Sequence, residues 1–141
     1  MKKSRGFSLL ELLIVVAIIL IIATIAIPSL LRSRQAANES GAVANLRTVN
    51  TAQVTYMSSN AGGYGTVAQL VTAGLLDERF STSLGGYSYA STVSGTGNTN
   101  YVAVASRQSA NTGRNNYYSS PDGVVRFSGT SGAGTAGSPV R

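Results

Sequence analysis

Hydrophobic and polar positions fall into three successive patterns along this chain. From Leu12 to Ile27 the run carries no charge and is apolar on every face, broken only by Thr24. With Phe7, Leu9 and Leu10 before it and Leu30 and Leu31 after it, the run reaches the ~20 residues that cross a bilayer as a helix. Pro28 sits where that helix would otherwise continue; it has no N–H and crowds the preceding turn, which predicts a kink or a melted stretch over Thr24 to Pro28. From Ser29 to about Ser59 the pattern becomes amphipathic. Ala42, Leu46, Val49 and Tyr56 mark an inner stripe, while Arg34, Gln35, Asn38, Glu39, Arg47 and Asn50 mark a wet side.

The breakers Ser58 to Gly63 end that helix, and Thr66 to Ala73 reads as a short second one. Thr66 is its cap, Val67, Leu70 and Val71 its inner face, and Gly74 its stop. Leu75, Leu76 and Phe80 are expected to tuck under a sheet, and Asp77-Glu78-Arg79 to form a solvated turn. After Gly85-Gly86 the period falls to two. Tyr87–Val93, Tyr101–Ala105, Asn116–Ser119 and Val124–Phe127 read as four strands, joined in part by Ser94-Gly95-Thr96-Gly97-Asn98 and Ser120-Pro121-Asp122-Gly123. Ser106 to Arg114 is a polar loop, and residues 128–141 form a Gly/Ser-rich tail with no apolar pattern, expected to be disordered or loose on the surface.

One residue conflicts with the membrane reading of the first pattern. Glu11 is an acid one turn inside the apolar helix, costing on the order of 3 kcal/mol near mid-bilayer unless it is neutralised. No basic residue lies between Phe7 and Leu31. A chain cut after Gly6 would supply one, because the new α-amino group of Phe7 has a pKa near ~8 and lies one turn from Glu11 in the same chain, or beside the Glu11 of a staggered neighbour.

The order Lys-Lys-Ser-Arg-Gly-Phe-Ser-Leu-Leu-Glu, running into the apolar segment and its Ala-Ile-Pro, resembles the N-terminus of type IV prepilins and their pseudopilin relatives. The resemblance is close over Lys2 to about Leu31 and only in outline beyond. It implies cleavage between Gly6 and Phe7 by a prepilin peptidase, N-methylation of Phe7, and Glu11 with the Phe7 amine as the pair that guides docking into a filament. It implies a homo-oligomeric helical fibre, with an assembly ATPase, an integral-membrane platform protein and an outer-membrane pore as further partners. A secretory signal peptide with a cleavage site at Thr24-Ile25-Ala26 is the main rival reading, but Glu11 interrupts the apolar region and the run is longer than a signal needs.

Composition narrows the chemistry. The chain has 141 residues and a formal charge of +6, which becomes +3 without Lys2, Lys3 and Arg5, since eight Arg then face five acids. It has no cysteine and no histidine, and beyond the leader no lysine, so common nucleophile pairs, Schiff-base chemistry and thiolate metal sites are excluded. The few acids, Glu11, Glu39, Asp77, Glu78 and Asp122, form no evident pair and are too sparse for a calcium site. No enzyme activity, cofactor or metal is expected. Many major pilins close a C-terminal loop with a disulfide, which this chain lacks.

The expected fold is α+β: a pilin fold whose long N-terminal helix packs on a four-stranded antiparallel sheet. The expected organisation is a leader at 1–6, a transmembrane and filament-core helix at 7–31, a globular head at 32–127 and the tail at 128–141. The expected role is a structural subunit, held in the inner membrane with its N-terminus cytoplasmic and then assembled into an extracellular pilus serving adhesion, motility or uptake. A type II secretion pseudopilin is the first alternative. A DNA-binding competence pilin, using Arg107 and Arg114 among the tyrosines, is the second.

Overall fold

A computed structural model describes residues 6–60, 62–128 and 138–139. In chain order it contains helix α1 (Leu9–Ser59), helix α2 (Val67–Thr72), a 3-10 turn (Glu78–Ser81) and strands β1 (Tyr87–Ser94), β2 (Asn100–Arg107), β3 (Asn116–Ser119), β4 (Val125–Ser128) and β5 (Ser138–Pro139). The chain divides into two compact units, residues 1–33 and 34–141.

In the first unit none of residues 6–33 is buried. α1 keeps a helical assignment through Thr24 and Pro28, with the proline inside it. The melted stretch expected there is therefore helical in the single subunit. The proline withdraws one N–H from the ladder, and the remaining bonds of a long helix carry across the gap. Thr24 Oγ1 donates to the Ile21 carbonyl at 2.7 Å.

The second unit is built on the part of α1 that turns inward. Ala42, Val43, Leu46, Val49, Asn50, Ala52 and Gln53 are buried at steps of one to three residues, one face of a 3.6-residue helix. Against them the sheet presents Tyr87 and Tyr89 of β1, Tyr101, Ala103 and Ala105 of β2, Tyr117 of β3 and Val125 of β4. The sheet is an antiparallel meander in the order β1-β2-β3-β4-β5, with Tyr89 opposite Ala105 and Val104 opposite Tyr118. Large tyrosines facing alanines let the layer close without voids. Tyr64 meets Tyr101 edge-on at 4.7 Å and Phe80 meets Tyr89 at 5.2 Å, so the hairpin and the connection before it share one aromatic core.

α2 starts at a capping box: the Thr66 side chain accepts from Gln69 N and the Gln69 side chain accepts from Thr66 N. It stops at Gly74, whose φ of +72° suits glycine. Val67, Leu70, Leu76 and Phe80 are buried and Leu75 packs on the core. The Asp77 carboxylate caps the 3-10 turn by accepting from Arg79 N, and the cluster is exposed.

Three expectations are corrected. Asn50 is not on the wet side: it is buried, its Nδ2 donates to Ser119 Oγ at 2.7 Å and its Oδ1 accepts from the Tyr101 hydroxyl at 3.0 Å. Gln35, Asn38 and Glu39 are half-buried rather than freely solvated. Gln35 and Asn38 donate to the carbonyls of Ala110 and Thr112 at 2.8 and 2.9 Å, and Glu39 accepts from Arg114 N. These bonds strap the β2–β3 loop to α1. Finally, the sheet gains a fifth strand from the tail, Ser138 and Pro139 pairing with Phe127 and Arg126. The rest of the tail lies outside the described residues.

The β3–β4 turn is held by charge as well as shape. Gly123 N donates to the Ser120 carbonyl at 2.9 Å, Asp122 Oδ1 accepts from Ser120 Oγ and Val124 N at 3.0 Å each, and Asp122 Oδ2 pairs with Arg126. The Arg126 guanidinium, with these donors, holds the Asp122 carboxyl down at about 2. A depressed folded pKa contributes stability above the unfolded value near ~4, and that contribution fades as pH falls toward the folded value. Between pH 4 and 2 the protection of the Val124 amide, its exchange relative to the intrinsic rate at each pH, is therefore expected to fall in wild type, while in Asp122→Asn it is expected to stay constant. Because the carboxylate is partly exposed, the cost is expected to stay below about 1 kcal/mol. Hydrogen exchange followed by NMR at stepped pH checks this; a Val124 amide whose protection is indifferent to pH in wild type would refute it.

Candidate functional site

The chemistry singled out in the sequence lies at the start of α1. Leu12 N donates to the Ser8 carbonyl at 3.2 Å, so the first helical turn closes over Ser8 to Leu12 and carries Glu11 within it. Phe7 stands ahead of that turn and is 79% exposed. Gly6 has open space around its α-carbon. Among the described residues Glu11 has no hydrogen-bond or ion-pair partner, consistent with an acid whose partner lies outside this part of the subunit. Glu11 lies in the first turn of α1, Phe7 lies before it, and Pro28 lies inside the helix.

Around Glu11 the surface is continuous hydrocarbon. Leu9, Leu10, Leu12, Leu13, Ile14, Val15 and Val16 are all exposed, and the exposure continues through Ile27, Leu30 and Leu31. Within the described residues α1 is one helix long and apolar enough to cross a membrane. At ~25 cal/mol per Å², leaving such a surface in water is costly.

The head offers little reactive chemistry. Among the described residues no cluster of His, Cys, Asp or Glu is arranged to hold a metal. Tyr87, Tyr89, Tyr101, Tyr117 and Tyr118 are buried, which leaves Tyr56 and Tyr64 as the half-exposed rings. Arg107 donates from Nη1 to the carbonyls of Gly113 and Arg114 at 3.1 and 2.8 Å, holding the loop closed. The stacking surface imagined for nucleic acid from tyrosines beside Arg107 and Arg114 is not assembled in the subunit.

Sequence reasoning missed Gln53. It is fully buried, and its amide grips Gly65: Oε1 accepts from Gly65 N at 2.9 Å, and Nε2 donates to the Gly65 carbonyl at 2.6 Å and to Ser91 Oγ at 2.8 Å. The signal was present, since Gln53 continues the inward stripe of Leu46 and Val49 at helical spacing.

Comparison with known proteins bears on the N-terminal segment first. A family model described as the prokaryotic N-terminal methylation motif matches residues 1–27. The chain is similar to the type IV wide pilus major component PilA4 of Thermus thermophilus, 40% identical over 75 residues, or 53% of this chain and 57% of that protein. It is also similar to the type IV major pilin protein PilA of Myxococcus xanthus, 46% identical over 56 residues, or 40% of this chain and 26% of that one. The chain thus spans little more than half the length of the first relative and about a quarter of the second. No solved structure matches.

Proposed function

We propose that this chain, which belongs by its N-terminal segment to the type IV pilin family, is a structural subunit polymerised through α1 into an extracellular fibre. The observation that carries the reading is the apolar surface of residues 7–31, exposed at every position but the half-buried Ala23 and charged only at Glu11. In the inner membrane that surface faces lipid, with the N-terminus cytoplasmic. In a fibre it faces the same segment of other subunits.

In this reading a prepilin peptidase cuts between Gly6 and Phe7, and Phe7 is N-methylated. The Phe7 amine then neutralises Glu11, within a subunit or between staggered ones. Such a pair gains most where water is excluded, so it sets register in a lipid-like core that otherwise lacks directional contacts. Pro28 provides a place where α1 can bend when subunits pack. An assembly ATPase, a platform protein and an outer-membrane pore serve the process, and the subunit performs no catalysis. The pilus is favoured over a pseudopilus because both curated relatives are pilus components by name.

Intact-mass analysis and N-terminal sequencing of material sheared from cells test this, comparing wild type with Glu11→Ala. A chain beginning at methylated Phe7 is expected in the wild-type sheared fraction. In Glu11→Ala that material is expected to fall at least about tenfold, the loss of roughly 1.4 kcal/mol or more per docking step, while processed subunit remains in the membrane. A sheared chain beginning at Ile27, an uncut chain, or equal yields from the two strains would overturn the proposal.

A further inference from the structure

Two adjoining clefts on the head share Tyr56, Asn60 and Gln69, with volumes of about 350 and 270 Å³. The second also reaches Tyr64 and Asn98. Among the described residues no charged side chain lines either one. Aromatic rings and amides take their place.

The backbone fixes this arrangement. The ring of Tyr56 lies so close over Gly65 that an added Cβ would meet it at 2.9 Å. Tyr64 N donates to the Asn98 carbonyl at 2.9 Å, tying the end of the α1–α2 connection to the β1–β2 turn. Asn98 adopts a φ of +57° in that turn, beside Gly95 and Gly97. Yet the polar ends are left over. Gln69 uses Oε1 in the capping box of α2, so its Nε2 remains uncommitted among the described residues. Asn60 spends Nδ2 on the Tyr56 carbonyl and Ser59 Oγ, and keeps Oδ1. The side-chain amide of Asn98 and the hydroxyls of Tyr56 and Tyr64 also take no hydrogen bond among the described residues.

We propose that these clefts form a binding site for a neutral oligosaccharide. Gln69 Nε2 offers a donor, Asn60 Oδ1 an acceptor and the Asn98 amide one of each, a mixed set that suits the hydroxyls of a sugar ring. A half-exposed aromatic ring offers an apolar face with a polar edge, which suits the C–H face of that ring. The lack of any charge in the lining removes the ionic anchor that a phosphate or sulfate would need. Two clefts meeting at Tyr56 fit two or three linked rings rather than one. The site is a property of the head, independent of whether subunits form a fibre.

The test uses the full chain in lauryldimethylamine oxide micelles, a detergent without sugar headgroups. Saturation-transfer NMR is run with maltotriose, cellotriose and triacetylchitotriose at millimolar concentration, and with a sulfated heparin trisaccharide as the charged control. At least one neutral probe is expected to receive saturation and the sulfated one none. Ala68→Arg, at an exposed position on the cleft wall, and Asn98→Gly, which tolerates the positive φ, are each expected to weaken that binding about tenfold or more, the worth of one or two lost contacts. Both variants leave the core untouched, and unchanged thermal unfolding confirms that they fold. Silence from all three neutral probes, binding of the sulfated probe alone, or equal binding by folded variants would each overturn the proposal.

Discussion

Raising the pH above 10 is expected to unfold the head well before its backbone is chemically damaged. Burial pushes up the hydroxyls of Tyr87, Tyr89, Tyr101 and Tyr117, and Tyr101 reaches about 12. The nearby charges of Glu39 and Asp122 raise Tyr87 and Tyr101 further. A phenol whose folded pKa lies above its unfolded value of ~10 contributes its full stability below pH 10. As pH rises, the unfolded chain loses its protons first, and the contribution disappears as pH passes the folded value. For Tyr101, which is 1% exposed, that contribution is on the order of a few kcal/mol. Far-ultraviolet circular dichroism and tyrosinate absorbance, followed together in micelles, are expected to change in one cooperative step above pH 10. Tyr101→Phe leaves one fewer group to ionise, so its step is expected at higher pH even though Asn50 loses a partner. Tyrosines that titrate near 10 while the dichroism stays constant would show that the rings are not buried as described.

Gln53→Leu is the single substitution expected to cost most. Leucine matches the volume and removes every polar atom that grips Gly65. The Ser91 hydroxyl still reaches the Gly65 carbonyl at 3.2 Å, but the buried Gly65 N–H is left without an acceptor. An orphaned buried donor costs ~1–3 kcal/mol and the lost bonds add to it, so about 3 kcal/mol is expected. In a domain of this size that is a fall of roughly 10–20 °C in Tm. Val54→Gln makes the reverse change next door on an exposed position and is expected to move stability by no more than about 0.5 kcal/mol. Equal effects from the two would refute the clasp. Thermal unfolding monitored in the tyrosine near-ultraviolet dichroism measures both.

Much of the head was legible because its signals are local. The change of period at Gly85-Gly86 falls where both glycines have positive φ and β1 begins. Thr66 and Gly74 bound α2, and Ser120 to Gly123 make the turn that their types suggest. Asn50 and Gln53 escaped because a polar side chain on a helix looks solvated until its partner is known. Those partners, Ser119, Tyr101, Gly65 and Ser91, lie 12 to 69 residues away. The strap from Gln35, Asn38 and Glu39 escaped for the same reason. Ser138 and Pro139 pair with β4 although nothing in their composition suggests a strand, since two residues carry no period. At the N-terminus the opposite holds: the motif from Gly6 to Glu11 is contiguous, so a one-dimensional reading finds it, whereas no hydrogen-bond or ion-pair partner of Glu11 stands among the described residues.

That every buried residue of α1 lies between Ala42 and Gln53 places the two units under different selection. On the proposed reading a substitution among residues 6–33 is judged by lipid and neighbouring helices, which penalise polarity but forgive one aliphatic for another. From Ala42 onward each inward position answers to one fixed set of side chains, so drift there requires matched changes in the sheet. The head's outer surface, bound by neither constraint, is where lineages of such a subunit are free to diverge in what they meet.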